Sequence, residues 1–583
     1  MLSWVTTAGA SATSTETGAD AQFKHIYTAE WSWRTGEPAG AATVAAVPDN
    51  SRLDDVDAAS QQRRLEYWQR VLNQLDAIDV AQLSPANRVN YEVYHAQISN
   101  LLASQKFKAW QMPFNSDSAF WSDIGYDLGG DHLRSVDDYR KYLDRLSQIP
   151  AYFDQQIANM RLGLKRGFSV PREVLQGRDV SIAAVADLKD PVQSSFYAPF
   201  KQLPATFPTD QAQALQGEAL QRIRDRVIPA YAKLLKFFRD EYVPAARTTL
   251  AAEAMPDGKA FYRQQIREYT TLELTPDQIH QIGLDQVAKI HAQMLEVMKS
   301  TGFSGDFPAF LAFLRNDPQF YAKTPQELLD KSAWVAKEVD GQMSRFFGEL
   351  PRARFTIKPV PADIAPYYTS GRGGPDVYLV NTYDLKSRPL FNMPALTLHE
   401  SYPGHALQLE LAAERHGQPA FRRNGYISAY GEGWGLYSEY LGNEMGIYQT
   451  PYQQFGFLTY QMWRACRLVV DTGIHHLDWT RQQAIDYLTS NTALSDREIG
   501  NEVDRYISWP GQALSYELGY LKIRELRTKA EDALGSKFDI RHFHDTLLST
   551  GSVPLPVLEK RIDQFIADGG PEPDSGCDCA KAK

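Results

Sequence analysis

Residues 396–411 read LTLHESYPGHALQLEL, and how this stretch folds decides what the rest of the chain must supply. His399, Glu400 and His405 bring two imidazoles and a carboxylate together, a donor set suited to a divalent metal with a base beside it. In the familiar H-E-x-x-H arrangement, four residues place both imidazoles on one helical face. Here the spacing is six, and at about 100° per residue six steps turn the second imidazole to the far side of a regular helix. An uninterrupted helix therefore cannot unite the pair. Pro403 and Gly404 stand directly before His405; proline removes a helix hydrogen bond and glycine permits unusual dihedrals. The expectation is a two-residue bulge that returns His405 to a shared metal.

A third ligand has to come from a following helix. In residues 427–442, ISAYGEGWGLYSEYLG, Glu432, Leu436 and Glu439 share one face. Gly431 and Gly435 bare another stretch of backbone, which lets two helices approach as a shared metal requires. Glu432 is the expected third ligand, and Glu439 a carboxylate that orients a ligating histidine.

Outward from this centre the chain is dominated by helical periodicity. Val136, Tyr139, Leu143, Leu146, Phe153, Ile157, Met160 and Leu164 mark one helix, opened by the capping pair Ser135 and Asp138 and expected to kink at Pro150. Leu65, Trp68, Leu72 and Leu75 mark a second, and Ile223, Val227, Tyr231, Leu234, Phe238 and Tyr242 a third. Thr480 with Gln483, and Ser495 with Glu498, read as capping boxes; the second helix should end near Trp509, with another from Gln512 to about Leu534. One segment differs. RFTIKPV (354–360) and DVYLVN (376–381) read as strands joined by the Pro- and Gly-rich PADIAPYYTSGRGGP, predicting a small antiparallel sheet with a mobile connection beside the metal site. Tyr367, Tyr368 and Arg372 on that connection are candidate substrate contacts. The fold class expected is mainly α: one large helical catalytic unit over residues 21–569 between flexible tails, 1–20 and 570–583.

Composition limits the chemistry. The 583 residues are 43% hydrophobic and 12% aromatic, enough apolar content to fold, and no apolar run is long enough for a transmembrane helix. A formal charge of -10 argues against a nucleic-acid partner. Three cysteines build neither a disulfide framework nor a Cys-ligated zinc module, so any metal rests on the 12 histidines and the carboxylates. Cys466 reads as core, and Cys577 and Cys579 as thiols on the C-terminal tail. The AGASA run near the start looks like the small-residue end of a secretory signal, without its basic start or apolar core. The expected compartment is periplasmic or secreted if a signal peptide is missing from this sequence, and cytoplasmic otherwise.

HESYPGH followed by EGW and LYSE resembles the bacterial domain-of-unknown-function 885 family, with its H-E-x-x-P-G-H motif. RLVVDTGIH (467–475), EVDRYISWPGQALSYELGYLKIRELR (502–527) and VPLPVLE (553–559) extend the resemblance. It implies a gluzincin-like helical fold and a zinc metallopeptidase, with His399, His405 and Glu432 as ligands of one Zn2+ and Glu400 as general base. Tyr516 and His475, both within matching stretches, are candidate oxyanion donors. Arg505 and Arg524 are candidate partners of a substrate carboxylate. The leading expectation is hydrolysis of short peptides, carboxypeptidase- or dipeptidase-like. Alternatives are a zinc hydrolase of a non-peptide amide, a non-haem iron enzyme using the same two-His, one-carboxylate set, and an inactive binding protein.

Overall fold

The computed structural model describes residues 18–35, 52–130, 133–362 and 364–571. The helices that build or brace the central cleft are α1 (Gly18–Thr35), α2 (Ala58–Asp76), α3 (Pro85–Phe107), α4 (Val136–Arg166), α5 (Gly258–Thr270), α6 (Pro276–Ser300), α7 (Met393–Glu400), α8 (His405–Glu414), α9 (Ser428–Glu444), α10 (Pro451–His476), α11 (Asp496–Ser508), α12 (Ser515–Leu534), α13 (Ile540–Thr550) and α14 (Leu555–Ala567). The mainly α expectation holds.

The helix boundaries follow local chemistry. Ser135 and Asp138 form a reciprocal capping box on α4, and Gly167 ends it in the left-handed conformation at φ 77°. That helix runs unbroken through Pro150. The third apolar stripe is helical too, but its spacing slips into π turns at Ile223–Val227 and Phe238–Tyr242. Each π turn directly precedes a proline-containing turn, Pro229 or Pro244, where the missing N–H breaks the regular ladder. Thr480 and Gln483 make the expected box. Ser495 caps α11, but Glu498 does not return to it; its carboxylate is held by Ser370 Oγ instead.

The described residues begin at Gly18 and end at Pro571. Residues 18–20 open α1, where buried Asp20 accepts hydrogen bonds from Ser84 N at 3.1 Å and Asn87 Nδ2 at 2.8 Å. Gly570 still closes α14 by donating to Phe565 O at 2.9 Å. Residues 1–17, Cys577 and Cys579 lie outside the described residues. Cys466 is buried in the core.

The sheet corrects the antiparallel expectation. Its strands are β1 (Thr356–Pro359), β2 (Gly371–Gly373) and β3 (Val377–Val380), in the order β1-β3-β2. β1 pairs parallel with β3, Ile357 opposite Tyr378, while β2 runs antiparallel, Arg372 opposite Leu379. Alternation marks a strand but not its direction, and the long connection supplies both the return crossover and the third strand.

At the centre lies α10, in which every residue from Phe455 to His475 is buried. It opens with a capping box of Thr450 and Gln453 and packs along α6, where a Cβ on Gly283 would stand 2.8 Å from Leu468 and Val469. Each large apolar side chain so buried contributes about 1.5–3 kcal/mol. The polar residues on this helix must find partners inside the protein, and Arg464 and Arg467 find them at the cleft. Among the described residues, no helix is long and apolar enough to cross a membrane.

Candidate metal centre

The HESYPGH segment is not a bulged helix but two helices. α7 stops at Glu400, residues 401–404 turn through a cis Tyr402–Pro403 peptide, and α8 begins at His405. Gly404 has φ -73°, and what it supplies is space: a Cβ would lie 1.9 Å from His399 O and 2.4 Å from Leu398 O. The turn thus folds back onto the last carbonyls of α7, and a neighbouring helix pins it, Trp434 Nε1 donating to Pro403 O at 2.7 Å. The result is two imidazoles 4.8 Å apart between centroids, with planes at 88°.

α9 crosses this break with its bare face. Gly433 meets Gly519 of α12 backbone to backbone; a Cβ on Gly433 would lie 2.5 Å from the Gly519 carbonyl carbon. Gly435 clears His399, whose Cε1 a Cβ would approach to 2.5 Å. Glu432 Oε2 is thereby brought to 3.5 Å from His399 Nε2 and 3.3 Å from His405 Nε2. One helical repeat on, Glu439 Oε1 accepts from His399 Nδ1 at 2.8 Å, leaving Nε2 turned inward, and the Arg464 guanidinium lies 3.3 Å from the same oxygen.

This donor set fits a small divalent cation. Tetrahedral zinc with bonds of about 2.0–2.1 Å requires neighbouring donors about 3.3–3.4 Å apart, which the two imidazole–carboxylate distances match. The electrostatics also select for positive charge there. Burial opposes a charged His399, but hydrogen bonds to Glu432 and Glu439 outweigh it and lift the imidazole to about 10. Burial likewise resists the Glu432 carboxylate, yet the imidazoles hold it well below the usual carboxylate range. His399, Glu400 and His405 form a buried group able to hold a metal ion; by distance, Glu432 stands with them. One Glu400 oxygen, Oε2, is engaged outside this group, accepting from Gly373 N–H on β2, and a Cβ on Gly373 would strike Glu400 O at 2.0 Å.

The centre lies in a cleft of about 780 Å³. Tyr516, Arg505, Tyr368 and Arg372 line it. The Tyr516 ring lies 6.5 Å from His399, nearly parallel at 19°. Its hydroxyl oxygen accepts from Arg505 Nη2 at 3.2 Å and Gln512 Nε2 at 3.4 Å, which leaves its own proton to donate elsewhere.

Two expected residues are not brought to the site. His475 is buried with both ring nitrogens on backbone, Nδ1 accepting from Ala252 N at 3.1 Å and Nε2 bonded to Tyr506 O at 2.9 Å; burial pushes it down to about 3. It follows Arg464 by roughly 16 Å along α10. Arg524 stacks on Tyr440 at 3.5 Å and donates to Tyr520, about 12 Å further along α12 than Tyr516. Tyr367 ends a short 3-10 turn, Ala365–Tyr367.

Several cleft residues were not anticipated. Arg464 and Arg467 stand among the apolar residues of MWRACRLVV, an i, i+3 pair of charges inside a buried run that is itself a signal. Tyr426 donates to Glu432 Oε1 at 2.9 Å. Trp31 and Arg34 of α1, Asn100 of α3 and Glu268 of α5 come from the distant N-terminal part with no local pattern to betray them. Burial lifts Glu268 to about 7.

A family model described as "Bacterial protein of unknown function (DUF885)" matches residues 38–562. No curated protein matches in sequence. Among solved structures, a candidate lipoprotein from Colwellia psychrerythraea is 26% identical, with 95% of this chain and 100% of that one covered and a TM-score of 0.86. A candidate lipoprotein of unknown function from Shewanella oneidensis is 17% identical, over 93% and 98%, with a TM-score of 0.66. An M32 carboxypeptidase from Deinococcus radiodurans R1 is 12% identical over 88% and 99%, at a TM-score of 0.30, too low to indicate a common fold.

Proposed function

The chain belongs to the DUF885 family of bacterial proteins of unknown function, and we propose that it is a zinc-dependent hydrolase of amide bonds in short peptides. The observation that carries this reading is the convergence of His399 Nε2, His405 Nε2 and Glu432 Oε2 at 3.3 and 3.5 Å, with a separate carboxylate, Glu400, beside them in a cleft. His399, His405 and Glu432 would hold the metal. When bound, zinc supplies Lewis-acid activation of water and of a carbonyl.

The chain's own groups do the rest. Glu400 takes a proton from the attacking water and returns it to the leaving amine; the Gly373 N–H on its other side fixes the carboxylate's direction. Glu439 keeps His399 in the tautomer that presents Nε2. Tyr516, with its oxygen engaged by Arg505 and Gln512, donates its proton to the developing oxyanion. Arg505 and Arg372, on the walls of the same cleft, suit a substrate carboxylate, which favours trimming from the C-terminal end. An iron oxygenase has no use for a base at Glu400, and the intact donor set argues against a mere binding protein. The lipoprotein description of the Colwellia relative supports a location outside the cytoplasm.

A peptide-library digest read by mass spectrometry tests the activity. Loss of single residues or dipeptides from the C-terminal end is expected, and absence of any cleavage by zinc-loaded protein contradicts it. Glu400→Gln should keep its zinc and lose about 10²–10⁴-fold in turnover; a variant with full turnover removes Glu400 as the base.

A further inference from the structure

Tyr426 divides the two oxygens of Glu432. Its hydroxyl donates to Oε1 at 2.9 Å, while Oε2 faces both imidazoles at 3.3 and 3.5 Å. The residue sits in the short loop before α9, about half exposed and lining the cleft, its ring 6.4 Å from that of His405. It is held there by Gly431, where a Cβ would lie 2.4 Å from the phenol ring, so any larger residue would lift the hydroxyl off Oε1. Ile427, the next residue, is anchored through its N–H to Ser552 Oγ at 2.8 Å. The phenol is thus built into place against the bare turn that precedes Glu432.

We infer that Tyr426 is a positioning residue that restricts Glu432 to one ligating oxygen. A carboxylate with both oxygens free binds a divalent metal through one or both, and zinc readily expands from four to five partners. With Oε1 engaged by the phenol, only Oε2 is offered beside His399 and His405, and the remaining position stays open for water and substrate. This rests on the metal site proposed above.

The test uses cobalt(II) as the probe in the full chain, because its visible d–d absorption weakens as coordination rises from four towards six. Wild type and Tyr516→Phe should both show the intense four-coordinate spectrum, since Tyr516 makes no contact with Glu432 among its hydrogen bonds. Tyr426→Phe, which removes only the hydroxyl and keeps the ring, should melt as wild type does yet lose the intensity several-fold. A Tyr426→Phe spectrum identical to wild type overturns the inference while leaving the metal site standing. Wild-type protein that takes up no cobalt overturns the metal site itself, and the inference with it. If Tyr426→Phe proves unstable, Gly431→Ala, which displaces the ring and keeps the phenol, must give the same spectral change; an unaltered spectrum there also overturns it.

Discussion

Gly435 shows how little room the centre leaves. A methyl group there would stand 2.5 Å from His399 Cε1 and 2.7 Å from Nε2, the atom turned toward Glu432. Gly435→Ala should therefore weaken zinc binding about 10- to 100-fold, the range found when groups that orient a ligand are lost; a competition titration with a chromophoric chelator measures it, and unchanged affinity would mean the imidazole has slack. His475 makes the opposite point. Its neutral ring, held at about 3 by burial, is charged in the unfolded chain below about 6.5. As pH falls the unfolded state gains a proton that the folded state refuses, so wild type must lose stability relative to a non-titrating variant. The stability difference between wild type and His475→Gln should shift against wild type by about 2 kcal/mol between pH 7.5 and 5; urea denaturation at the two pH values checks it, and a constant difference would place a charged imidazole in the fold. The His399, Glu400 and His405 group was legible because metal chemistry demands particular residue types close together in the chain. His475 was misjudged because a histidine in a matching stretch looks the same whether it faces a cleft or two backbone groups.

At the level of elements, the centre depends on α9 and α12 touching backbone to backbone. A Cβ on Gly519 would lie 1.9 Å from Ala429 O, so Gly519→Ala must push the two helices apart. The expected cost is about 1–3 kcal/mol or more, read by chemical denaturation, together with weaker metal binding, because α9 carries Glu432 and Glu439. Full stability with intact metal affinity would show that the interface yields. A close helix crossing was legible in GEGWG, but the expected glycines were Gly431 and Gly435, which clear Tyr426 and His399, whereas Gly433 meets Gly519. The break between α7 and α8 was legible from the six-residue spacing, but as a bulge rather than a stop and restart, because sequence spacing fixes an angle and not the path. Strand direction was hidden for a related reason: β1 and β3 alternate alike whether they run parallel or antiparallel.

On the scale of the whole molecule, the cleft is closed by parts of the chain far from its chemistry. Trp31, Arg34 and Asn100 meet residues some 300–400 positions later. Nothing in α1 or α3 announces that meeting, since a cleft wall made of ordinary helix surface carries no motif. A metal held by His399, His405 and Glu432 would, by contrast, tie α7, α8 and α9 together, so its binding should be felt as global stability. At a free zinc concentration 1,000-fold above the dissociation constant, the gain is about 4 kcal/mol. Calorimetry with and without a chelator measures it, and coincident melting curves would mean that the ligands do not converge on one ion. The most direct measurement is anomalous diffraction at the zinc edge from crystals of the full chain. The account predicts a single peak bounded by His399 Nε2, His405 Nε2 and Glu432 Oε2, with Glu400 outside the bonding shell. No peak there, or a peak bonded to Glu400 in place of Glu432, would contradict it.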